Sequence, residues 1–417
     1  MIRIYLTVVI LTIAPNIVRA QTTLEEYCNR VLLYSHELVD RELALQGARS
    51  EELAARKGYL PMLSLARQMN VDVRSPAVGR RWGWLTRLDV SQPIFLGGAV
   101  RAQAKQAELV SGMAEFSAED ARRFVRYTAE VAYWSLSRAE SYSDAMEEYV
   151  EIVRSLCDVV NERYNEGYIS KSDLLQVESR LSDAEYQLSM AMQRRDIALH
   201  NFNMLCGVEP VTSVILAQSI LDEGDMPARK SVDAILKQHP AYRTSQLEAE
   251  HSFWGVRAAE ARFMPQIEVG AYALLQPTTP HVKGGGTRLD GGVLLSFSTP
   301  IYHFGERKHV VSAARSDYLQ KENALSEEED RIVLDESDAW SNLSATHDRV
   351  QTVKQNLALA QENLVISTYS YREGLLTILD VLQAQLSWLQ IYTNAITAQY
   401  DYAVAISAYR YVVCDMW

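Results

Sequence analysis

Residues 207 positions apart match along most of this 417-residue chain, and that duplication constrains the fold more than any other feature. Ser91, Pro93, Ile94 and Gly98 return as Ser298, Pro300, Ile301 and Gly305. Tyr164, Glu166, Gly167, Asp173, Leu175 and Gln176 return as Tyr371, Glu373, Gly374, Asp380, Leu382 and Gln383. One shift without insertion links the Pro-Ile motif to the Gly motif, so a rigid element sets the distance between them. A long helix does that.

Heptad seams support the helix. Val350, Val353, Leu357, Ala360, Leu364, Ser367 and Tyr371 alternate spacings of 3 and 4, and the same register holds for Ser143, Met146, Val150, Val153, Cys157, Val160 and Tyr164. The proline-free run 99–165 is about 100 Å long as a helix, whereas a return helix over 170–206 covers only about 55 Å. An incoming helix between Thr22 and Gly58 is expected to cover the rest of the rod. The second repeat, 228–417, follows the same plan, with an incoming helix from Ala228 to Ala261, a long helix over 306–372 and a return helix over 377–413. Residues 207–227, with Gly207, Pro210, Gly224 and Pro227, read as the connector after repeat one, 21–206.

Between incoming and long helices the period changes to two. Leu63, Leu65, Met69, Val71 and Val73 alternate with Ser64, Gln68, Asn70, Asp72 and Arg74, Arg67 being the exception. Strands are expected at about 62–74 and 82–92, and at about 266–276 and 287–298. Each is long enough to cross a bilayer as a tilted strand. The pattern fits a water-filled barrel and also a soluble half-buried hairpin. Four strands cannot close a barrel, so in a membrane several chains must contribute. Trp82, Trp84, Phe95, Tyr302 and Phe304 near the strand ends fit either an interfacial aromatic girdle or packing at a strand-to-helix junction.

Residues 1–20, with Arg3, an apolar stretch and the ending Val18-Arg19-Ala20, read as a cleaved export signal. No cysteine follows that could carry a lipid anchor. Cys28, Cys157, Cys206 and Cys414 lack CxxC spacing, which leaves a Cys28–Cys414 disulfide open in an oxidising compartment. A net charge of −12 offers phosphate no basic face, so nucleic acid is not an expected partner. Enzyme motifs are missing too. Gly284-Gly285-Gly286-Thr287 lacks the Lys-Ser/Thr ending of a P-loop, the eight histidines contain no HExxH, and no Gly-x-Ser-x-Gly elbow occurs. The chain reads as a non-enzyme without cofactor or metal site.

The order and duplication of Tyr59-Leu60-Pro61, the Ser-Gln-Pro-Ile-Phe-Leu-Gly-Gly run from Ser91 and Tyr164-Asn165-Glu166-Gly167-Tyr168-Ile169-Ser170 resemble the TolC-like outer membrane efflux proteins. The resemblance covers nearly the whole chain after residue 20. It implies a mainly α protein with β, in which long antiparallel coiled-coil hairpins join four transmembrane strands per protomer. Three protomers would share a 12-stranded barrel in outer membrane lipid. It also implies an exit duct working with a periplasmic adaptor protein and an inner membrane transporter. A soluble periplasmic coiled-coil scaffold or adhesion protein is the alternative reading of the residues.

Within that frame the site residues fall into three groups. Gly167, Tyr168, Ile169 and Ser170, with Gly374, Leu375, Leu376 and Thr377, form the expected periplasmic tip and adaptor-docking surface. Asp173 and Asp380, three residues after Ser170 and Thr377, are either capping-box partners or carboxylates ringing a pore. Pro93, Gly98, Pro300 and Gly305 mark the strand-to-helix junctions.

Overall fold

The computed structural model describes residues 21–72, 81–222, 224–277 and 286–416. The export signal at 1–20, the end of the first strand beyond Asp72 and the Gly284-Gly285 turn lie outside them.

Repeat one begins with α1 (Leu24–Tyr34) and α2 (His36–Arg56), continues through β1 (Met62–Asp72) and β2 (Arg81–Leu96), and ends with α3 (Ala99–Asn165) and α4 (Lys171–Leu205). Repeat two contains α5 (Val232–Gln238), α6 (Pro240–Ala261), β3 (Gln266–Pro277), β4 (Thr287–Ser298), α7 (Glu306–Arg372) and α8 (Ile378–Val412). Both long helices have 67 residues and both return helices 35, and each pair is offset by 207 at both ends (306 − 99, 412 − 205). None of the described helices is long and apolar enough to cross a membrane, a fact that does not bear on strands.

The incoming helices correct the sequence expectation, because neither is continuous. Ser35 ends α1 and starts α2, where its hydroxyl accepts from the Leu38 N–H at 3.4 Å. In repeat two Pro240 lacks an N–H and disfavours helix at His239, so the chain restarts there with proline at the first helical position. The strands differ from expectation as well. β2 runs through Pro93 to Leu96, and the missing donor is absorbed by a register shift between Pro93 and Phe95 against β3. Pro300 lies beyond the end of β4.

The helices lie side by side. Toward the strands, α2 packs on α3, α3 on α6 and α6 on α7; in the other half α4, α3, α8 and α7 follow in that order. The seam residues meet in the core near the middle of the hairpins, where Met146, Val150, Val153, Ala184, Ala191, Ala360, Leu364 and Trp388 cluster. The connector is stitched to α3 by Ser137, whose Oγ accepts from the Ile220 N–H at 2.7 Å, and to Thr22 through a bridge with Leu216. All four cysteines are free, so Cys28 and Cys414 form no disulfide.

Candidate functional site

The four strands form one antiparallel sheet in the order β1-β2-β3-β4, so its two outer edges carry unpaired backbone groups. Register assigns its faces. Leu65 pairs with Leu88, which pairs with Ala273; Val90 pairs with Ala271, which pairs with Val293. The opposite face carries the rows Ala66, Arg87, Leu274, Asp290 and Ser64, Asp89, Tyr272, Gly292. One face is therefore apolar and the other polar, with Arg87 bonded to Asp89 and Arg288 to Asp290, each at 2.7 Å. Leu63, Leu65, Leu289, Val293, Leu295 and Phe297 are all exposed on the apolar face, Val293 at 82%. In water such a patch would be a large liability; in lipid it is matched. Arg67, the exception in the pattern, lies over the Trp84 ring at 5.7 Å, as a long cationic side chain does when its stem stays on apolar surface.

At the strand-to-helix junction Gly97 and Gly98 have φ of 63° and 93°. A Cβ on Gly97 would sit 2.5 Å from the Met264 Cβ, so side-chain space and backbone angle both require glycine there. Repeat two has Phe304 at the equivalent position, with φ of 49°, followed by Gly305 at 85°. Phe304 is exposed, and its ring meets Tyr302 edge-on with centroids 4.5 Å apart. Phe95 and Tyr302 are also exposed at this level.

The other end of the molecule holds the two hairpin turns. Gly167 and Gly374 have φ of 82° and 79°. At each turn, N–H groups reach back to the last helical carbonyls: Gly167 to Tyr164 at 3.0 Å and Tyr168 to Arg163 at 2.9 Å, then Gly374 to Tyr371 at 3.0 Å and Leu375 to Ser370 at 2.8 Å. This is a Schellman ending, which a left-handed glycine permits. Ser170 and Thr377 then start the return helices. The Asp173 N–H donates to Ser170 Oγ at 3.2 Å, and the Ser170 N–H donates to Asp173 Oδ2 at 3.3 Å. Asp380 and Thr377 repeat the exchange at 3.4 and 3.0 Å. Bonds from the Thr377 hydroxyl and backbone hold the Asp380 carboxyl below the usual range.

Tyr168 and Leu375 project from the turns, 77% and 75% exposed, and Leu376 and Thr377 are exposed beside them, while Ile169 is half-buried. Beneath them Leu156, Val160, Leu174, Val177, Tyr371, Ile378, Val381 and Leu382 form a core drawn from both hairpins. Arg163 locks the turns side by side: Nη1 donates to the Tyr371 carbonyl at 3.2 Å and Nη2 to the Arg372 carbonyl at 2.6 Å. Its charge meets the negative end of α7. Sequence reasoning missed Arg163, whose only signal is its place in the last turn of α3. Above the core, an open groove of about 610 Å³ runs between α3 and α7 over α8, with Ile152, Leu156, Leu364 and Val365 among its walls and Glu148 and Glu151 at one side.

Comparison with known proteins adds independent evidence. The family described as outer membrane efflux protein matches residues 28–208 and 232–408. Outer membrane protein TolC of Escherichia coli strain K12 is 23% identical over 335 residues, covering 76% of this chain and 66% of the relative. Protein CyaE of Bordetella pertussis is 22% identical over 352 residues, covering 82% of this chain and 73% of the relative. Among solved structures, the outer membrane protein VceC of Vibrio cholerae superposes with a TM-score of 0.79 at 18% identity, over 94% of this chain and 95% of that one.

Proposed function

The chain belongs to the outer membrane efflux protein family, and from that membership we propose that it is the outer membrane exit duct of a tripartite efflux or type I secretion system. The observation that carries this reading is the pair of open edges. β1 and β4 leave the sheet unpaired on opposite sides, and the helices end in the same way, with α2 and α4 on one side and α7 on the other. Apolar side chains stand on both sides, among them Val39, Leu43 and Tyr186 on one and Leu319, Leu334 and Leu359 on the other. Joining β1 and α2 of one copy to β4 and α7 of the next repeats a head-to-tail contact, and rotation closes it into a ring. Three copies give twelve strands, above the eight needed to close a barrel, with the Arg87 and Asp290 face turned to a water-filled lumen.

The long helices then continue the lumen below the membrane. The exposed turns at Gly167 to Ser170 and Gly374 to Thr377 are the docking surface for an adaptor protein that brings an inner membrane transporter into line. Asp173 and Asp380 act first as helix caps, and in a ring of three copies they add six carboxylates at the mouth. Family members are channel proteins, which supports a role in passage and not in catalysis. Membership in an outer membrane family also disfavours a soluble scaffold.

The test is the mass in mild detergent and the conductance in planar bilayers. Three protomer masses and a cation-sensitive conductance are expected; a well-folded monomer, or a trimer that never conducts, overturns the reading. Adjacent residues of β4 give a finer check, since Leu295 stands on the apolar face and Leu294 on the polar one. Leu295→Arg is expected to cost about 2 to 4 kcal/mol if the site lies near the midplane, and Leu294→Arg to be tolerated. Urea-dependent unfolding in liposomes measures both.

A further inference from the structure

Between the sheet and the tip, one cavity pairs a buried guanidinium, two of whose nitrogens lack hydrogen-bond acceptors, with a cluster of positive charge, in a chain whose net charge is −12. It opens where α3, the α5–α6 break and the C-terminal end of α8 meet. Its volume is about 590 Å³, and Phe116, Glu119, Arg123, Lys237, Arg243 and Leu247 are among the residues that line it. Arg123 is only 3% exposed. Its Nη2 donates to the Tyr411 carbonyl, Nη1 lies 3.6 Å from Asp120, and neither Nε nor Nη1 has a hydrogen-bond acceptor. A buried guanidinium with idle donors is costly, and here the Asp120 carboxylate and the Tyr411 ring, 5.1 Å from the guanidinium carbon, offset only part of that cost.

Two more cations line the cavity beside it. Arg243 bonds only neutral oxygens, those of Gln246 and the Lys237 carbonyl, at 3.0 and 3.2 Å. Among the described residues neither Arg243 nor Lys237 has a carboxylate partner. Three cations thus face Glu119 on the wall and Asp120 beside it, while Lys230 and Asp415 close by pair with each other at 2.9 Å. His239, at the break, adds no charge: burial, and next Arg123, bring its pKa down to about 4. The duplication does not supply this chemistry, because the residue equivalent to Arg123 in repeat two is Asp330 (123 + 207 = 330).

We propose that this cavity binds a small organic oxyanion, with its phosphate or carboxylate group on Arg123, Lys237 and Arg243 and its apolar body against Phe116 and Leu247. The volume fits a small molecule, and the mix of apolar wall and convergent polar groups is that of a ligand site. The site is independent of the reading of the chain as a duct.

Calorimetric titration of the detergent-solubilised full-length protein with phenyl phosphate, benzoate and inorganic phosphate tests it. Saturable binding of phenyl phosphate or benzoate, one per protomer and weakened by salt, is expected, with inorganic phosphate binding less tightly. Arg123→Gln should weaken the organic probe about tenfold, the loss of one charge-assisted contact. Lys237→Gln, on the exposed rim, should weaken it less and leave the fold intact, so it decides the matter if Arg123→Gln does not fold. Absence of saturable binding, or binding unchanged in the variants that fold, overturns the proposal and leaves Arg123 a structural residue bonded to Tyr411.

Discussion

α3 and α7 have the same length and share caps, turns and heptad register, yet α3 buries twenty residues and α7 nine. The first 26 residues of α7 bury none, whereas α3 buries Ala102, Leu109, Ser111, Ala121 and Arg123 over the same stretch. The difference lies in position. α3 has neighbours on both flanks, α2 or α4 on one and α6 or α8 on the other, while α7 ends the row. Duplication thus produced two equal rods, and their unequal surroundings turned one into a core and left the other bare on its outer side.

The junctions show the same divergence on a smaller scale. Gly97 is pressed against the end of α6, with the Ala261 carbonyl oxygen 2.6 Å from where a Cβ would stand. Its counterpart Phe304 is 88% exposed and keeps the left-handed backbone with a large side chain. The backbone path is common to both repeats; tolerance for a side chain depends on what packs against it.

The largest expected effect comes from placing charge on the bare rod. Leu334→Asp on α7 should abolish the three-protomer mass in mild detergent while circular dichroism stays helical. Full retention of the trimer would show that the bare face of α7 is not the interface. At the junctions, Gly97→Ala combines left-handed strain with a clash and should cost about 2 to 4 kcal/mol. Phe304→Gly should instead leave stability unchanged or raise it by at most about 1 kcal/mol. Equal effects, measured by thermal unfolding, would remove the distinction between the two junctions.

At the tips the repeats are expected to behave alike. Ser170→Ala and Thr377→Ala should each cost about 0.5 to 2 kcal/mol of local stability, seen as faster amide exchange at Asp173 and Asp380. A clear inequality would mean that one turn is held by something beyond its cap. Removing both carboxylates with Asp173→Asn and Asp380→Asn should in addition reduce cation selectivity, and unchanged selectivity would reduce them to caps.

The smallest effect is a pH dependence confined to single residues. Burial, followed by the neighbouring Asp144, raises the Glu140 carboxyl to about 7. The folded state therefore holds a proton that the unfolded chain gives up near 4.5, and the contribution of Glu140 to stability falls as pH rises between those values. Glu140→Gln should remove that contribution. Asp380 acts in the opposite sense: its lowered pKa supports the fold above the ordinary carboxylate range, and the support is lost as pH falls. His239 of repeat two, its pKa brought down to about 4, acts in the opposite sense to Glu140 over much of the same window, so the two contributions offset and Glu140→Gln should tip the net slope toward stability that rises with pH.

By itself the sequence determined whatever depends on local periodicity and chain geometry. The 207-residue offset and the proline-free runs set equal helix lengths. Gly167 and Gly374 set the reversals, because few other residues take a positive φ cheaply, and Ser170 and Thr377 set the restarts because their side chains reach the third N–H. Period-two alternation sorted the strands into two faces. The tertiary structure decided what rests on neighbours distant in the chain. The breaks at Ser35 and His239 were not read from pattern. The extension of β2 past Pro93 exists because β3 lies alongside to absorb a bulge, whereas β4 stops at Ser298 at the edge of the sheet, with no further strand among the described residues. Arg163 on the Tyr371 and Arg372 carbonyls and Arg123 in its cavity bridge residues more than 200 apart, and a single-residue signal carries no record of such a partner. The reason is physical: caps and periodicity act over one or two turns of backbone, while burial and charge pairing depend on distance in space, which is set only once all the helices have packed.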